Sequence, residues 1–447
     1  GGNYNTVVGD EAGTAISTGD QNTCLGFEAG KAISTGNNNV AIGFQALLNE
    51  DANGDNVAVG YQSLKTLNAG ADAFNTAVGY FSGTSLNTGT QNTIIGAEAG
   101  ASLTTGGNNV LIGYQAGDAL VGAVNNVAIG RVALSGDTEG QRSVAVGYGA
   151  LQVQNFSSAT SAYNTALGYA AGAAITTGDK NTLIGGLAGD RLSTGNQNVA
   201  VGYQALSLGS TYDGNTAIGH QALLVAENTS GADGNNVAVG ASAGSAVTSG
   251  LRNSIIGVSA GANLTTGNDN ILIGKGADVN AGAAANQITI GNDIDAGGDN
   301  NFSFGKASNV VTNDFDSDAN WSRSSDRRKK REIYDQELGL DFVNDLRTVN
   351  FQWKPSNEFP KEWNDYSEEN NMDTDVVMHG FIAQEVKYAL DKHSSERDSN
   401  FSGWKEGEDG MQHTSREMFV IPLIKAVQEL SAQVDTLKEE IKELKNG

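Results

Sequence analysis

Along the first 310 residues the apolar positions come in short alternating bursts, each opened by a polar residue and closed by a glycine. "NTVVG" at Asn5 is followed by "NTCLG", "NVAIG", "NVAVG", "NTAVG" and "NTIIG", and the closing glycine falls at 9, 26, 43, 60, 79, 96, 113, 130, 147, 168, 185, 202, 219, 240, 257, 274 and 291. The step is 17 residues, lengthened by two after Gly60 and by four after Gly147 and Gly219, and an eighteenth, degenerate copy, "NFSFG", ends at Gly305. Val, Leu, Ile or Phe always precedes the glycine, and Thr, Val, Ser, Ile or Phe stands two residues earlier. Alternation at period two predicts a short strand in each copy.

A repeat of this length marks a solenoid, in which a single coil buries too little to stand alone and stacks on its neighbours. The glycine, present in all eighteen copies, suits a point where the backbone turns through positive φ or another backbone passes close. Asparagine opens sixteen of the eighteen; stacked in register, such side chains can hydrogen-bond up and down the stack as a ladder. Proline is missing from this part, in keeping with amides that all pair with the next coil. The fold expected for residues 1–309 is mainly β: a parallel β-solenoid or triple β-helix shaft, with sister chains covering what the thin coils leave exposed.

After residues 310–324, read as a linker, the pattern changes. "ELGLDFVNDL" sets Leu338, Phe342 and Leu346 at helical spacing, "VNFQW" alternates as a strand, Pro355 to Asp373 is a polar loop, and "VVMHGFIAQEVKYAL" reads as a strand passing into a helix. Residues 325–447 are therefore expected to be a small α+β domain. At its end Val420, Val427, Val434 and Ile441 interleave with Leu423, Leu430, Leu437 and Leu444, the seam of a coiled coil over 420–446. Chains are expected to associate there, and β-branched residues at one seam position with leucine at the other lean towards two parallel strands.

Composition divides the chain at the same place. The first 310 residues hold 9 basic and 22 acidic side chains, the rest 18 and 29; 53 of the 59 glycines lie before the boundary, and every proline, tryptophan and methionine after it. The net charge of -24 argues against nucleic acid or an anionic membrane as partner. No apolar run reaches the roughly 18 to 20 residues of a membrane span, and no signal peptide is visible. The sequence begins inside a repeat without a start methionine, so an attachment region ahead of residue 1 is expected. A single cysteine, Cys24, excludes an intrachain disulfide or a cysteine-based zinc site. No cofactor and no metal is expected.

Candidate sites on the shaft are few. Thr18, Thr35, Thr105, Thr177, Thr194 and Thr266 could form a flat threonine array, but they recur in only part of the repeats and read better as turn residues before glycine. Asp10, Asp20, Asp55, Asp179 and Asp269 follow no calcium-repeat pattern and read as solvated carboxylates. Cys24 stands in a small apolar column and is expected to be buried, and His220 is expected to be structural. The inserts, Leu64 to Phe74, Leu151 to Tyr163 and Leu223 to Gly234, lie where loops can grow into a binding face; no contact residue is assigned in them.

The basic run "SRSSDRRKKREI", Ser322 to Ile333, is out of character in so acidic a chain. By itself a Ser-Asp pair ahead of a polar run is an ordinary helix N-cap. Followed in order by "VNFQWKP", "HGFIAQEV" and "VIPLIKAVQELSAQVDTLKEEI", it closely resembles the C-terminal intramolecular chaperone of the endosialidase tailspike type, the self-cleaving peptidase S74 family, over residues 325–447. The repeats resemble the head repeats of trimeric autotransporter adhesins and the β-structured shafts of phage tail fibres.

What this resemblance implies is specific. Such a chaperone aligns three fibre chains and then cuts itself away before its first residue, a serine, with a Ser-Lys pair. Carried onto this sequence, the scissile bond joins Ser324 to Ser325, Ser325 is the nucleophile and Lys330 the general base, with Asp326 and His379 as candidate supporting groups; the family carries leucine where this chain has Lys329. A serine hydroxyl needs such a base, and a lysine serves only when deprotonated. Desolvation and the like charges of Arg327, Arg328, Lys329 and Arg331 act in that direction. Three chains are preferred to two on the strength of the rod and the resemblance. The expected protein is the distal part of a homotrimeric tail fibre on a virion or phage-like particle, binding a host-surface glycan or protein. A bacterial surface adhesin is the second reading, and a tailspike whose polysaccharide-degrading domain lies outside this chain the third.

Overall fold

The computed structural model describes residues 2–209, 211–226, 233–307, 309–314, 327–361, 366–370, 374–395, 401–407 and 410–446. The chain forms two compact units, Gly1–Ser324 and Ser325–Gly447.

In the first unit the predicted strands form. Sixteen three-residue strands, from Thr6–Val8 to Ile271–Ile273, are followed by Ile288–Asn292 and Asn301–Lys306, all stacked parallel in one sheet. Register is strict: Val40 lies on Val57 and Val57 on Thr76. One repeat is one coil, and its hydrogen bonds run to the neighbouring coils of the same chain, as when Val110 N–H donates to Asn126 O at 2.8 Å and Gly113 N–H to Ile95 O at 2.7 Å. The shaft is thus a solenoid of one chain. Residues 310–314, expected within the linker, belong to the strand Asn309–Asp314, which lies antiparallel along Asn301–Lys306 and ends the parallel stack.

Within each strand the middle residue points inward. Cys24, Ala41, Ala58, Ile94 and Leu111 are fully buried, whereas the alternating pair on either side, such as Val40 and Ile42, stays half-exposed. The narrow interior holds mostly alanine plus one or two larger side chains per coil, some at the strand centre, as Ile94 and Leu111, and the rest supplied from two further places. Where the fourth residue past the corner glycine is glycine, as Gly30, the seventh is apolar, as Ile33; a Cβ on Gly30 would lie 2.8 Å from the Ile33 Cδ1. Where the fourth is Leu47, Leu134, Leu151 or Leu206, the seventh is Glu50, Asp137, Gln154 or Gly209. These leucines take the positive φ that glycine takes elsewhere, +50° for Leu47 and +54° for Leu134. That costs about 1 to 2 kcal/mol, offset by about 2 kcal/mol from burying a leucine side chain.

The asparagine ladder is present and buried. At Asn181, Nδ2 donates to Gly195 O (2.9 Å) and to Asn164 Oδ1 (3.2 Å), while Oδ1 accepts from Asn198 N–H (3.0 Å) and Asn198 Nδ2 (3.1 Å). The same pattern recurs at Asn92, Asn109, Asn253 and Asn270. Where Ser143 interrupts the column, Gln154 reaches in from the next coil: its Nε2 donates to Ser143 Oγ (3.1 Å) and its Oε1 accepts from Asn164 Nδ2 (2.8 Å).

The second unit is α+β. Helix α1 (Leu340–Asp345) precedes the strand Val349–Phe351, which pairs antiparallel with Met378–Gly380; α2 (Ala383–His393), the hairpin Trp404–Glu406 with Gln412–Thr414, and α3 (Val420–Asn446) follow. Leu338, Phe342, Val386, Ala389, Leu390 and Phe419 form its core. The loose first turn of α1 is tied to α3, because Glu429 Oε2 accepts from the Leu340 N–H at 2.7 Å. Gly339 leaves room for that carboxylate, into which a Cβ would run.

Candidate functional site

Ser324, Ser325 and Asp326 lie outside the described residues. Immediately after them Arg327–Lys329 form one 3-10 turn, closed by the Lys330 N–H donating to Arg327 O at 3.0 Å. A tight turn there suits the sequence, since crowded cations are kept in water: Arg327, Arg328, Lys330 and Arg331 are all exposed. His379 sits in the middle of the strand Met378–Gly380, opposite Asn350, and its side chain faces outward. Among the described residues, then, the proposed base and the candidate supporting histidine are both on the surface of the isolated chain.

Residues 325–395 match the family model Peptidase_S74, chaperone of endosialidase. No curated protein and no solved structure matches the chain. In the chain, the segment that matches this chaperone family follows a β-solenoid of 17-residue coils. Among the described residues no helix is long and apolar enough to cross a membrane.

Beyond the matched segment, α3 carries the predicted seam. On the same helix Pro422 and Ala426 are buried in the unit's own core. Val427, Leu430, Val434, Leu437, Ile441 and Leu444 point away, between 41% and 83% exposed. A strip of aliphatic side chains repeating at three and four residues and left bare is what a partner helix covers.

On the shaft, Thr18, Thr35, Thr105, Thr177, Thr194 and Thr266 are exposed turn residues. The surface aspartates tie one coil to the next: Asp20 Oδ1 accepts from Asn3 N–H at 2.6 Å, and Asp269 pairs with Arg252 at 2.7 Å. Cys24 is fully buried and its thiol is pushed up to about 11 by that burial. His220 stacks on Tyr203 at 5.8 Å.

The inserts carry a feature that sequence reasoning missed. Each lengthened coil is gripped by a buried polar side chain of the coil before it. Glu50 accepts from Asn53 Nδ2 (2.7 Å) and from the Ala69 N–H (3.4 Å) of the first insert. Asp137 accepts from Gln154 Nε2 (2.6 Å) and the Phe156 N–H (3.1 Å) of the second. Tyr212 spans the third, its hydroxyl donating to Thr248 O at 2.8 Å. The signal was available, since Glu50 and Asp137 stand where other coils carry the core leucine.

A pH effect follows from Glu50. Burial is the main cause holding its carboxyl above the usual carboxylate range, against the hydrogen bonds from Asn53. The folded state therefore binds this proton more tightly than the unfolded chain, and the site's stability falls as pH rises from the ordinary carboxylate range through the raised value. Glu50→Gln is expected to flatten that portion of the stability curve, read as the thermal midpoint by circular dichroism at a series of pH values from about 4 to 7.

Proposed function

We propose that the protein is the distal part of a trimeric tail fibre whose C-terminal unit aligns three chains, lets their shafts form, and then severs itself at the Ser324–Ser325 bond. The observation that carries this reading is the family match, which begins at Ser325, the residue that the motif comparison makes the first of the released piece. The bare seam of α3 supports association at the same end of the chain.

In the proposed step Lys330, as the free amine, takes the Ser325 hydroxyl proton, and Oγ attacks the Ser324 carbonyl carbon. The C–N bond breaks as Lys330 passes that proton to the Ser325 nitrogen, which leaves Ser324 as an ester on Oγ, and water hydrolyses the ester to a carboxylate on Ser324 and a free hydroxyl and amino group on Ser325. Lys330 is exposed in the single chain, so its desolvation, which favours the neutral amine, is supplied by the neighbouring subunits. Cleavage then reports that three folded chains have met. Once released, the shaft is left to attach to a host-surface glycan or protein.

The test is a denaturing gel with intact-mass measurement of freshly made protein. Wild type is expected to give a fragment of 123 residues beginning at Ser325. Ser325→Ala and Lys330→Ala are each expected to slow its appearance by about a hundredfold or more, leaving one full-length band. Two bands from either variant at the wild-type rate would overturn the assignment.

A further inference from the structure

The outward side of the shaft sheet is made of two columns, the residue before each corner glycine and the one two earlier. Across the eighteen coils neither column contains a charged side chain, although the chain as a whole carries a net charge of -24. The first is Val, Leu, Ile or Phe throughout and none of it is buried; Leu25, Leu167 and Ile256 are 45%, 47% and 42% exposed. The second is mostly threonine and valine, also unburied. The acids sit elsewhere on the coil, as Glu28 just past the corner and Asp55 just before the ladder. The coil's own interior is complete without this face, because the inward residue of each strand is the one between the two columns.

The exposed aliphatic column alone amounts to on the order of 1,000 Å², where an ordinary monomer shows an apolar patch of about 300 to 600 Å² and a stable interface buries about 800 Å² per partner. Along one margin Phe27, Phe44, Tyr61 and Tyr80 stack face on face at 5.0 to 5.3 Å. Rings that spend their faces on one another turn their edges outward, which suits packing against an apolar wall and not the stacking of a sugar ring on an aromatic face.

We propose that this uncharged sheet face is the surface along which the shafts of identical chains meet, one copy's columns against the next. The inference rests on the trimer reading above and adds where the chains touch. The occupant must match a surface that repeats every coil over roughly 80 Å of shaft, at about 4.8 Å per coil. A second copy of this chain carries that same period and the same lack of charge, so contact along this face brings no like charges together, whereas contact along the margin that carries Glu11, Glu28 and Glu98 would oppose acid to acid.

Single cysteines placed in the full-length protein test it, Cys24 being buried. Ile112→Cys lies in the aliphatic column and Thr105→Cys on an exposed turn of another side. Treated with a short bifunctional thiol reagent, Ile112→Cys is expected to give covalent dimers and trimers on a denaturing gel, and Thr105→Cys monomers only. Sedimentation of the untreated protein separates the two levels of the argument. A trimer that crosslinks through Thr105→Cys and not through Ile112→Cys would overturn this face while leaving the trimer standing. A monomer whose Ile112→Cys thiol is freely labelled would overturn both.

Discussion

Gly113→Ala is expected to destabilise the shaft by about 4 kcal/mol or more, which places it among the rare large single-site effects. Two costs coincide at this corner. Its φ of +133° lies in a region that only glycine occupies without strain, and an added Cβ would stand 2.5 Å from the Gly130 carbonyl oxygen of the next coil, a backbone atom that cannot swing aside. Relief would require the two coils to part, breaking the bonds between them that Gly130 N–H donates to Ile112 O and Val110 N–H to Asn126 O. The control lies four coils along the shaft, one residue past the corner Gly185. Gly186 has no positive φ, and its Cβ would meet only the Tyr203 ring edge at 3.6 Å, so Gly186→Ala should stay within about 0.5 kcal/mol of wild type. Because each coil touches only its neighbours, the Gly113→Ala shaft should melt in two steps, by far-UV circular dichroism, with the break between them at the altered coil. A single wild-type transition for Gly113→Ala would mean that the corner tolerates a side chain, and that the glycine column has some other origin.

Much of this architecture is legible in the residues because repetition amplifies weak signals. One Asn, one apolar residue and one Gly mean little; the same three in the same order in coil after coil fix the strand, the corner and the buried ladder. The order of elements after residue 325, apart from the hairpin Trp404–Glu406 with Gln412–Thr414, was readable for a different reason, since helical and strand periodicities change sharply around Leu340, Val349, Ala383 and Val420. The inward side of a three-residue strand was legible only through its middle column, where Cys24 among small apolar residues was expected to be buried. Alternation alone gives the larger residues to the flanks; the alanines between them are the core, because a coil this narrow has room for little more. The exchange of Leu47 for Ile33 is hidden by the same geometry, since two positions three residues apart in the repeat both point into the interior. The strand Asn309–Asp314 was hidden by its polar composition: its pairing is antiparallel and comes from the hairpin, not from the repeat.

Asn181→Leu should be nearly as damaging as the corner substitution, although leucine is the more apolar residue and the site is fully buried. Leucine cannot donate to Gly195 O or accept the Asn198 N–H, and both groups would be left dry and unpaired. At about 1 to 3 kcal/mol for each orphaned group, the loss is about 2 to 6 kcal/mol, against roughly 2 kcal/mol at most from added apolar burial. Asn181→Asp separates the two halves of this account. A carboxylate still accepts the Asn198 N–H but faces the Gly195 carbonyl with a second acceptor, so the protonated form is favoured in the folded state. Its folded pKa is then raised, and stability should fall as pH rises through it and recover in mild acid, a dependence that Asn181→Leu cannot show. The chain already holds an instance of the rule at Ser143, which with Gln287 is one of two breaks in the column; there the neighbours stay satisfied because Gln154 donates to Ser143 Oγ and accepts from Asn164. Gln154→Leu, which leaves every ladder asparagine in place, should therefore weaken the shaft much as Asn181→Leu does, and an unchanged melting midpoint for it would show that the ladder contributes shape to the coil and little stability.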